Sequence, residues 1–579
     1  MKKFRVALAQ MNSFVGDLEG NKNKIISFIR EAEEKGCDVI AFPELALPGY
    51  PPEDLVLKQH FVSDNMACVE EIAGACRSIT AVVGFVDRKS ALYNSAAIIQ
   101  GGSVKGVYRK SCFSDYGVFN ERRYFQQGSE TPVYVIDGVP VGISIGDDIR
   151  CPEGPAAAQA LNGAEILINI SASPYYAEKW RSNRQMLSTR AGEAGVYIAW
   201  VNSAGGQDDL VFDGDSVIVN PKGEIMAGAG FFRENLVMAD CDLAEPLRQR
   251  LHDPECRSFK SMDSRNATTV RFHDISTGGR AGERDRLDAG KIENPSLVEE
   301  IYNALVTGTR DYMRKNGFEK AVVGMSGGID SALVTAIAVD SAGKDNVLAV
   351  FMPSRYTSEQ SRVISQEIAK NMGIEYREVP IDGLFQEYLD TMSWEEHGKA
   401  QEKIQARIRT NILMAFSNRF HYLDLTTVNK SEMCVGFTSL YGDLGGGLNV
   451  LSDIYKKEVI ALARYRNTIS EAFPEALFTR HPTSELKHGV TDEGALGCTY
   501  VMLDPILTAY FDEDRSIEEI TELGYPLETV KNIVQLVDTS EHKRRQAPPG
   551  IRISKKAIGV DRKFPITQGY RLKEKDCSA

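Results

Sequence analysis

The chain has 579 residues, 43% of them hydrophobic and 25% charged, which is enough for at least two domains with separate cores. A formal net charge of −13 argues against a nucleic acid as the main partner. The chain shows neither a signal peptide nor an apolar run of about 18 residues, so we expect a cytoplasmic protein without a membrane span. Its ten cysteines include no CxxC pair, which is typical of reduced thiols.

The first half alternates strands and helices. The strand "FRVALAQ" precedes an amphipathic helix closed by Gly36, and "CDVIAFPE" is a buried strand that we expect to end at Glu44. The strand "YNSAAIIQ" turns at two glycines into "SVKGVYRK", which predicts a hairpin. The strands "VPVGISI", "AEILINI" and "VYIAWVN" follow, the last two separated by a helix. This order predicts two mixed sheets between helical layers.

Between the two halves, the alternation of apolar strands and helices gives way to a polar stretch. We expect a domain over residues 1–255, a polar connector over 256–294 and a second domain over 295–579. The second domain alternates strongly, from the strand "KAVVGMS" through the helix "DSALVTAIAVDSAG" to the strand "NVLAVFMP". This alternation predicts a doubly wound parallel α/β domain that binds ligands at the carboxyl ends of its strands.

A glycine-rich turn in the second domain carries the strongest chemical signal. The string "GMSGGIDSALV" follows a strand and opens a helix, so its backbone N–H groups face an anion closely. Ser326 and Ser331 add hydroxyl donors, and Asp330 is placed to hold a divalent cation on phosphates. The GxxxxGK[ST] phosphate loop is absent. The Ser-Gly-Gly-x-Asp-Ser string instead resembles the pyrophosphate loop of enzymes that cleave ATP between its α and β phosphates.

The second half resembles NAD⁺ synthetases. The blocks that carry the resemblance are "MPSRYTSEQS", "EKIQARIRTNILMAFSN", "TTVNKSEMCVGFTSLYGDLGGGLNVLSDIYKKEV", "HPTSEL" and "EHKRRQAPPGIRIS". The resemblance implies that the carboxylate of deamido-NAD attacks the α-phosphate of ATP, which releases pyrophosphate and leaves a mixed anhydride with AMP. Ammonia then attacks the activated carbonyl to give the amide. Since two anions must meet, metal and cationic groups are needed to neutralise charge.

The resemblance also implies roles for single residues, each carried over from a matching block. The expected Mg²⁺ ligands are Asp330 and Glu432. The expected ATP site contains Gly324, Met325, Ser326, Gly327, Gly328, Ile329, Asp330, Ser331, Arg355, Thr427, Lys456 and Ser484. The expected deamido-NAD site contains Lys403, Glu432, Asp443 and Lys543.

Two positions in these blocks depart from the family pattern. Lys403 stands where the family usually has Asn, at a position that faces deamido-NAD, so we expect this contact to be altered or lost. Val428 replaces a glycine before "NKSE" and is expected to crowd a close approach. Neither change removes a catalytic group.

The first half resembles the nitrilase-like glutaminase domain, an α-β-β-α sandwich, of glutamine-dependent NAD⁺ synthetases. The resemblance rests on "VALAQMNSFVGDLEGN", "AFPELALPGYPPEDL", "YRKSCFSDYGVFNERRYF", "INISASPYY" and "NSAGGQDDLVFDGDSVIVNPKGE". In that family a Glu base takes a proton from a Cys nucleophile while a Lys stabilises the oxyanion. Glu44 matches the base and Lys110 the oxyanion lysine. The positions that match glutamine contacts are Tyr116, Ser173 and Lys179.

The nucleophile of this domain is missing. The family places it in a Cys-Glu-Asp string at a strand-to-turn corner, where this chain reads Gly146-Asp147-Asp148. Asp147 points its carboxylate differently, and Cys151 lies roughly 15 Å away along an extended chain. The family tryptophan after this string is Arg150, and "LPNYG" has become "FSDYG". Drift over several positions favours natural loss of amidase function over an engineered change.

Four functions remain in view. The first is an NAD⁺ synthetase that uses free ammonia and retains its amidase-like half as a scaffold for folding or oligomer contacts. The second is a glutamine-dependent synthetase with a nonstandard nucleophile. The third, a tRNA-modifying member of the same ATP-cleaving group, predicts a basic surface and cysteine pairs, which this chain lacks. The fourth, a regulatory nucleotide-binding module, has no need of the metal and pyrophosphate ligands. The family implies a homo-oligomer.

Overall fold

The computed structural model describes residues 3–115, 117–254, 270–275, 287, 292–393, 398–487, 489, 491–559 and 561–570. The chain divides into two compact units, one of residues 1–207 and 211–295, the other of residues 208–210 and 296–579. No helix in the described ranges is long and apolar enough to cross a membrane. Every described cysteine is a free thiol.

Two mixed sheets form the framework of the first unit. The strands up to residue 275 are β1 Lys3–Gln10, β2 Val39–Ala41, β3 Thr80–Arg88, β4 Leu92–Gln100, β5 Ser103–Arg109, β6 Val133–Ile136, β7 Val139–Ile145, β8 Ile166–Ser171, β9 Tyr197–Asn202, β10 Ala204–Gln207, β11 Leu210–Asp213, β12 Val217–Val219, β13 Ile225–Gly228, β14 Asn235–Asp242 and β15 Phe272–Asp274. One sheet has the order β14-β1-β2-β3-β4-β5 and the other β13-β12-β9-β8-β7-β6-β15.

Four of the five helices of this unit, α1 to α4, cover the outer faces of the two sheets. The five helices are α1 Leu18–Glu34, α2 Gln59–Ala75, α3 Pro155–Leu161, α4 Lys179–Ala194 and α5 Glu245–His252, with short 3₁₀ turns at Glu53–Leu57, Glu121–Arg123 and Gly146–Ile149. One apolar core lies between the two sheets, a second under α1 and α2, and a third under α3 and α4. The four layers confirm the expected α-β-β-α sandwich.

Three details of this unit bear on the sequence predictions. The hairpin between β4 and β5 is confirmed, since Gly101 and Gly102 form its two-residue turn at φ +55° and +78°. The strand expected to end at Glu44 ends earlier, at Ala41. Pro43 has no N–H to continue a ladder, so Glu44 lies in the turn beyond. The expected connector contributes β15, which pairs with β6 in parallel. The rest of that segment, apart from residues 270–275, 287 and 292–294, lies outside the described residues.

The second unit is built on a parallel five-stranded sheet. Its strands are β16 Lys320–Met325, β17 Val347–Phe351, β18 Glu375–Glu378, β19 Tyr422–Thr426 and β20 Leu448–Asn449, in the order β18-β17-β16-β19-β20. The chain moves outward from β16 to β18 and then returns to the other side at β19. The order therefore reverses between β16 and β19, and this switch point is where doubly wound sheets bind ligands.

Helices flank this sheet and extend it into a small helical lobe. They are α6 Leu297–Lys315, α7 Ile329–Ala342, α8 Glu359–Met372, α9 Asp382–Met392, α10 Lys399–Phe420, α11 Lys430–Val435, α12 Lys456–Ile469, α13 Glu475–Thr479, α14 Asp492–Leu496, α15 Tyr500–Leu507, α16 Ile517–Glu522, α17 Leu527–Thr539 and α18 Glu541–Arg544. One core packs α7 and α8 on the sheet, another packs α9 and α10 on its other face, and a third joins α11, α15 and α17. The predicted doubly wound domain is confirmed.

Candidate functional sites

The first unit contains a buried cluster of charged side chains between its sheets. Lys110, just past β5, donates to Glu44 Oε1 at 2.8 Å and to both carboxylate oxygens of Glu121 at 2.8 Å. Asn94 on β4 donates to Glu44 Oε1 at 2.7 Å and to Glu121 Oε1 at 3.1 Å. The three charged residues are at most 4% exposed. The cluster therefore places one ammonium between two carboxylates, away from water.

The electrostatics of this cluster keep Lys110 charged. Burial alone lowers the pKa of Lys110, but the charges of Glu44 and Glu121 outweigh it, and the net pKa is raised. Burial raises the pKa of Glu121, and the neighbouring ammonium of Lys110 partly offsets that rise. Two carboxylates and one lasting positive charge provide a base and an oxyanion partner, which are the parts that amide cleavage needs beside a nucleophile.

Gly146 lies at the end of β7 and faces this cluster. Its φ of +52° is in the left-handed region, which side chains rarely adopt. A Cβ added at Gly146 would lie 2.7 Å from Lys110 Nζ and 2.9 Å from Glu44 Oε2. Any side chain at this corner would thus begin in contact with both charged groups. The corner has the position of a mounted nucleophile, in a backbone conformation that would strain any residue other than glycine, and it carries no side chain.

The two aspartates after Gly146 serve other contacts. Asp147 accepts a short hydrogen bond from Ser114 Oγ and pairs with Arg150 Nε at 3.2 Å. Asp148 is fully buried and accepts from Tyr108 Oη at 2.7 Å and from the backbone N–H of Cys112 at 2.7 Å. Burial raises the pKa of Asp148. Both carboxylates therefore brace the turn, in line with the expectation that Asp147 does not act as the nucleophile.

The residues expected to contact glutamine are only partly described. Tyr116 lies outside the described residues. The Ser173 N–H donates to Asn202 Oδ1 at 2.8 Å. Lys179, at the start of α4, donates to the Pro174 carbonyl at 2.6 Å and lies 5.3 Å from the centre of the Tyr176 ring. The first contact ties the segment that follows β8 to the end of β9, and the other two hold Lys179 to that segment.

The second unit forms a phosphate loop at the switch point of its sheet. Gly327 has φ +74°, and a Cβ there would lie 2.6 Å from the Ser361 carbonyl oxygen. Ser326 Oγ accepts from the Gly328 N–H at 3.2 Å and lies 3.0 Å from Ser331 Oγ. Since α7 begins at Ile329, its free N–H groups face the space above the loop. The loop is therefore folded as an anion cradle in which Gly327 tolerates no side chain.

Charged residues surround this loop. Lys456, at the start of α12, forms a short ion pair with Asp330, and Asn429 donates to Asp330 Oδ1 at 2.9 Å. Burial and the charge of Asp330 raise the pKa of Glu432 to about 8. Burial lowers the pKa of Lys456, but Asp330 and Glu432 outweigh this and raise it overall. Two carboxylates thus compete for one ammonium, and a divalent cation would relieve their repulsion.

The loop opens into a cavity of about 380 Å³, within the range of nucleotide-sized pockets. Among the residues expected at the ATP site, its lining includes Gly324, Met325, Ser326, Gly327, Gly328, Ile329, Asp330, Ser331, Thr427, Lys456 and Ser484. Arg355 is not among the described lining residues. It pairs with Asp382 Oδ1 at 3.2 Å and is 41% exposed at its side chain. The structure therefore brings together all of the expected ATP site except Arg355.

Two of the residues expected to bind deamido-NAD meet at one carbonyl group. Lys403 on α10 and Lys543 on α18 both donate to the Thr438 carbonyl oxygen, at 3.3 and 3.1 Å. Burial and the positive charge of Lys403 lower the pKa of Lys543. Asp443 accepts from the Ser439 N–H at 3.0 Å. Lys403, Glu432 and Asp443 line the cavity. The departure at Lys403 thus adds a second ammonium beside Lys543.

The other departure is absorbed by the core. Val428, which replaces the glycine of the family pattern, is 4% exposed. Its side chain packs with Met433 and Leu444 in a small apolar cluster, which accommodates the larger residue.

Three residues that the sequence analysis did not single out complete these sites. Glu121 is the second carboxylate on Lys110. Asp492 is 8% exposed and accepts hydrogen bonds from the backbone and the hydroxyl of Ser484. Glu485 accepts from Ser361 Oγ at 2.8 Å and from Arg480 at 2.7 Å, which fixes the segment over the phosphate loop. The sequence carries no signal for Glu121, since the need of a buried lysine for a nearby carboxylate does not say which residue supplies it.

Comparisons with known proteins define the class of this chain. Residues 5–248 match the family model described as carbon-nitrogen hydrolase, and residues 301–547 match the one described as NAD synthase. The fold and the two sites therefore belong to an enzyme that joins an amidase-type domain to an ATP-dependent carbon–nitrogen ligase.

Full-length relatives specify the family. The glutamine-dependent NAD⁺ synthetase of Thermotoga maritima is 42% identical over 99% of this chain and 100% of its own length. That of Aquifex aeolicus is 42% identical over 98% of this chain and 99% of its own. A solved structure of the Acinetobacter baumannii enzyme has a TM-score of 0.73 and 35% identity over 99% of this chain and 100% of that chain. The chain belongs to the glutamine-dependent NAD⁺ synthetase family, whose NAD synthase domain amidates deamido-NAD with ATP.

Proposed function

We propose that this protein makes NAD⁺ from deamido-NAD, ATP and free ammonia, and that its amidase domain has lost its chemistry. The observation that carries the proposal is the corner at Gly146, whose missing side chain would begin 2.7 Å from Lys110 Nζ and 2.9 Å from Glu44 Oε2. A thiol there would have a base and an oxyanion partner in place. Without it, no acyl intermediate forms at this corner, and glutamine does not supply the nitrogen.

The ligase reaction has two steps. A carboxylate oxygen of deamido-NAD attacks the α-phosphorus of ATP, and the bond to the β-phosphate breaks as pyrophosphate leaves. Ammonia then attacks the activated carbonyl carbon, AMP leaves with the bonding electron pair, and the nitrogen loses a proton. The N–H groups at the start of α7 and the ammonium of Lys456 stabilise the phosphate charge that builds up in the first step.

The carboxylates of Asp330 and Glu432 fit a magnesium ion. Oxygen ligands suit Mg²⁺, and burial together with the charge of Asp330 raises the pKa of Glu432, a strain on the ionised pair that a bound cation would relieve. The described residues contain no group of three or more metal-ligating side chains. A two-carboxylate site leaves the remaining positions to water and phosphate oxygens, which is the usual arrangement for magnesium with nucleotides. When bound, the ion neutralises phosphate charge.

The remaining assignments concern residues in and beside the same cavity. Thr427 and Ser484, which both line the cavity beside the phosphate loop, contact the triphosphate. Lys403, Asp443 and Lys543 bind deamido-NAD, and the additional ammonium at Lys403 suits its anionic groups. Arg355 contributes only if it leaves Asp382.

A homo-oligomer is part of the proposal. Leu384, Tyr388 and Met392 recur at helical spacing along α9 and are 42–53% exposed, which forms an apolar stripe suited to a second copy. Light scattering on the purified protein tests this point, since a monomeric mass at micromolar concentration contradicts it.

The function is tested by incubating the protein with deamido-NAD, ATP, MgCl₂ and ammonium and measuring NAD⁺, AMP and pyrophosphate. Equal amounts of the three products are expected. Asp330→Asn is the matched variant that removes one carboxylate charge while keeping the side-chain shape, and it should abolish all three. No cleavage of ATP in the presence of deamido-NAD would point to a different acceptor, and pyrophosphate released without NAD⁺ would show that ammonia does not complete the reaction; either result overturns the proposal.

A further inference from the structure

One buried side-chain amide connects the two carboxylates that fit a magnesium ion. Asn429 lies between β19 and α11 and is fully buried. Its Nδ2 donates to Asp330 Oδ1 at 2.9 Å, and its Oδ1 accepts from the Glu432 N–H at 3.0 Å. The Asn429 N–H in turn donates to Glu432 Oε2 at 3.2 Å. Asn429 therefore contacts one oxygen of each carboxylate.

Helix capping explains only part of this arrangement. Asn429 is the N-cap of α11, and its Oδ1 and its backbone N–H form a capping box with Glu432. Serine or aspartate would supply the capping oxygen as well as asparagine does. The cap makes no use of the Nδ2 donor, which is directed to Asp330, 99 residues earlier in the chain. The amide donor thus has a target outside the helix that it caps.

The contact with Asp330 holds that carboxylate in one orientation. Asp330 lies in the first turn of α7, next to the phosphate loop. Its Oδ2 pairs with Lys456, and its Oδ1 accepts from Asn429, so the carboxyl group is held at both oxygens. The capping box holds the carboxylate of Glu432 through Oε2. Asn429 therefore fixes how the two carboxylates face each other.

We propose that Asn429 is a positioning residue that orients Asp330 and Glu432 for the metal ion. Carboxylates that bind metals are themselves oriented by hydrogen bonds from residues that do not touch the metal. A carboxylate oxygen that accepts one hydrogen bond still has a lone pair for a cation. This assignment rests on the proposed magnesium site, and it adds a residue that prepares the site without binding the ion.

Manganese binding tests this role without turnover. Mn²⁺ prefers the same oxygen ligands as Mg²⁺, and the electron paramagnetic resonance signal of the unbound ion gives its affinity for the full chain. Asn429→Ser keeps a capping oxygen but replaces the amide by a hydroxyl that is too short to reach Asp330. Asn429→Ala removes both the cap and the donor. Asp330→Asn serves as the reference for a damaged metal site.

Two controls separate positioning from loss of structure. Ser516→Ala is the matched variant for the cap, because Ser516 forms the same capping box with Glu519 at the start of α16. Calorimetric titration with ATP in the presence of EDTA reports on the phosphate loop without a metal ion. A merely structural defect around α11 would change this metal-free affinity as well.

Asn429→Ser and Asn429→Ala should both bind Mn²⁺ about 10- to 100-fold more weakly than the unchanged protein. Their affinity for ATP in EDTA should stay unchanged, and Ser516→Ala should bind Mn²⁺ as the unchanged protein does. Unweakened Mn²⁺ binding by Asn429→Ser, or a metal-free ATP affinity that falls together with the Mn²⁺ affinity, overturns the positioning role alone. No Mn²⁺ binding by the unchanged protein, or equally tight binding by Asp330→Asn, overturns the magnesium site as well, so the two failures are distinguishable.

Discussion

Restoring a side chain at Gly146 tests how the first unit is built. Gly146→Ala adds a Cβ in a left-handed backbone conformation, which costs about 1–2 kcal/mol, and the reduced freedom of the unfolded chain returns about 0.4–1 kcal/mol. The new Cβ also lies 2.7 Å from Lys110 Nζ, closer than carbon atoms normally approach, so the ammonium has to shift. We expect a net destabilisation of about 1 kcal/mol, measured by urea unfolding.

Gly146→Cys adds chemistry to the same strain. The ammonium of Lys110 stabilises a thiolate, and Glu44 Oε2, 2.9 Å from the new Cβ, accepts the thiol proton. We therefore expect rapid alkylation by iodoacetamide and one acyl group per chain after treatment with p-nitrophenyl acetate, detected by mass spectrometry. The burial-raised pKa of Cys112 leaves that native thiol slow, which makes the unchanged protein the control.

The double variant with Lys110→Met separates the chemistry from simple exposure of the thiol. Alkylation should then slow by a factor of at least about ten, because the thiolate loses its charge partner. An introduced thiol as slow as Cys112, or one equally fast without Lys110, would refute the assignment of this corner as the former nucleophile position.

Three further predictions concern single side chains. Lys110→Met leaves two buried carboxylates facing each other, so the first unit should lose about 3–5 kcal/mol of unfolding free energy. The kcat with ammonium, measured on the folded fraction, should stay unchanged. An unaltered midpoint of urea unfolding would contradict this prediction. Gly327→Ala should weaken ATP binding more than tenfold, since its Cβ would lie 2.6 Å from the Ser361 carbonyl oxygen. Calorimetric titration measures the affinity for ATP. Gly317→Ala is the matched control, because a Cβ there meets no atom within 4 Å at a similar φ of +77°. Asp424, a residue of β19 that is 3% exposed, has a pKa that burial raises from its ordinary 3.8 to about 7. Its ionisation therefore costs free energy of unfolding that grows between these two pH values and reaches about 4 kcal/mol above pH 7. Asp424→Val should stabilise the second unit at pH 8 and much less at pH 4, and equal effects at both pH values would rule out a raised pKa.

The sequence predicted most of what depends on local pattern. The phosphate loop could be predicted from contiguous residues, because it is formed by one strand, one turn and one helix that follow each other along the chain. The corner at Gly146 was found in the same way, from the end of a strand. The layers of both units follow from alternating apolar strands and helices, since each apolar face needs a partner.

What the sequence could not predict depends on distant chain segments. Glu121 contacts Lys110 across a loop of ten intervening residues. Asp424 has no distinctive pattern around it in the sequence, and its place beside Val322 follows only from the pairing of β19 with β16. Arg355 matched a family block, yet its side chain pairs with Asp382 on α9. The strand β15 was hidden in a polar stretch because its three residues are all exposed and show no apolar alternation.

The nitrogen donor is the most direct test of the central claim. The protein is incubated with deamido-NAD, ATP and MgCl₂, and with either ¹⁵N-ammonium or ammonia-free glutamine labelled at its amide nitrogen. We predict ¹⁵N-labelled NAD⁺ from ammonium, and neither labelled NAD⁺ nor glutamate from glutamine. Labelled NAD⁺ formed from glutamine together with an equal amount of glutamate would show that the first unit still cleaves amides, and would contradict the loss of chemistry at Gly146.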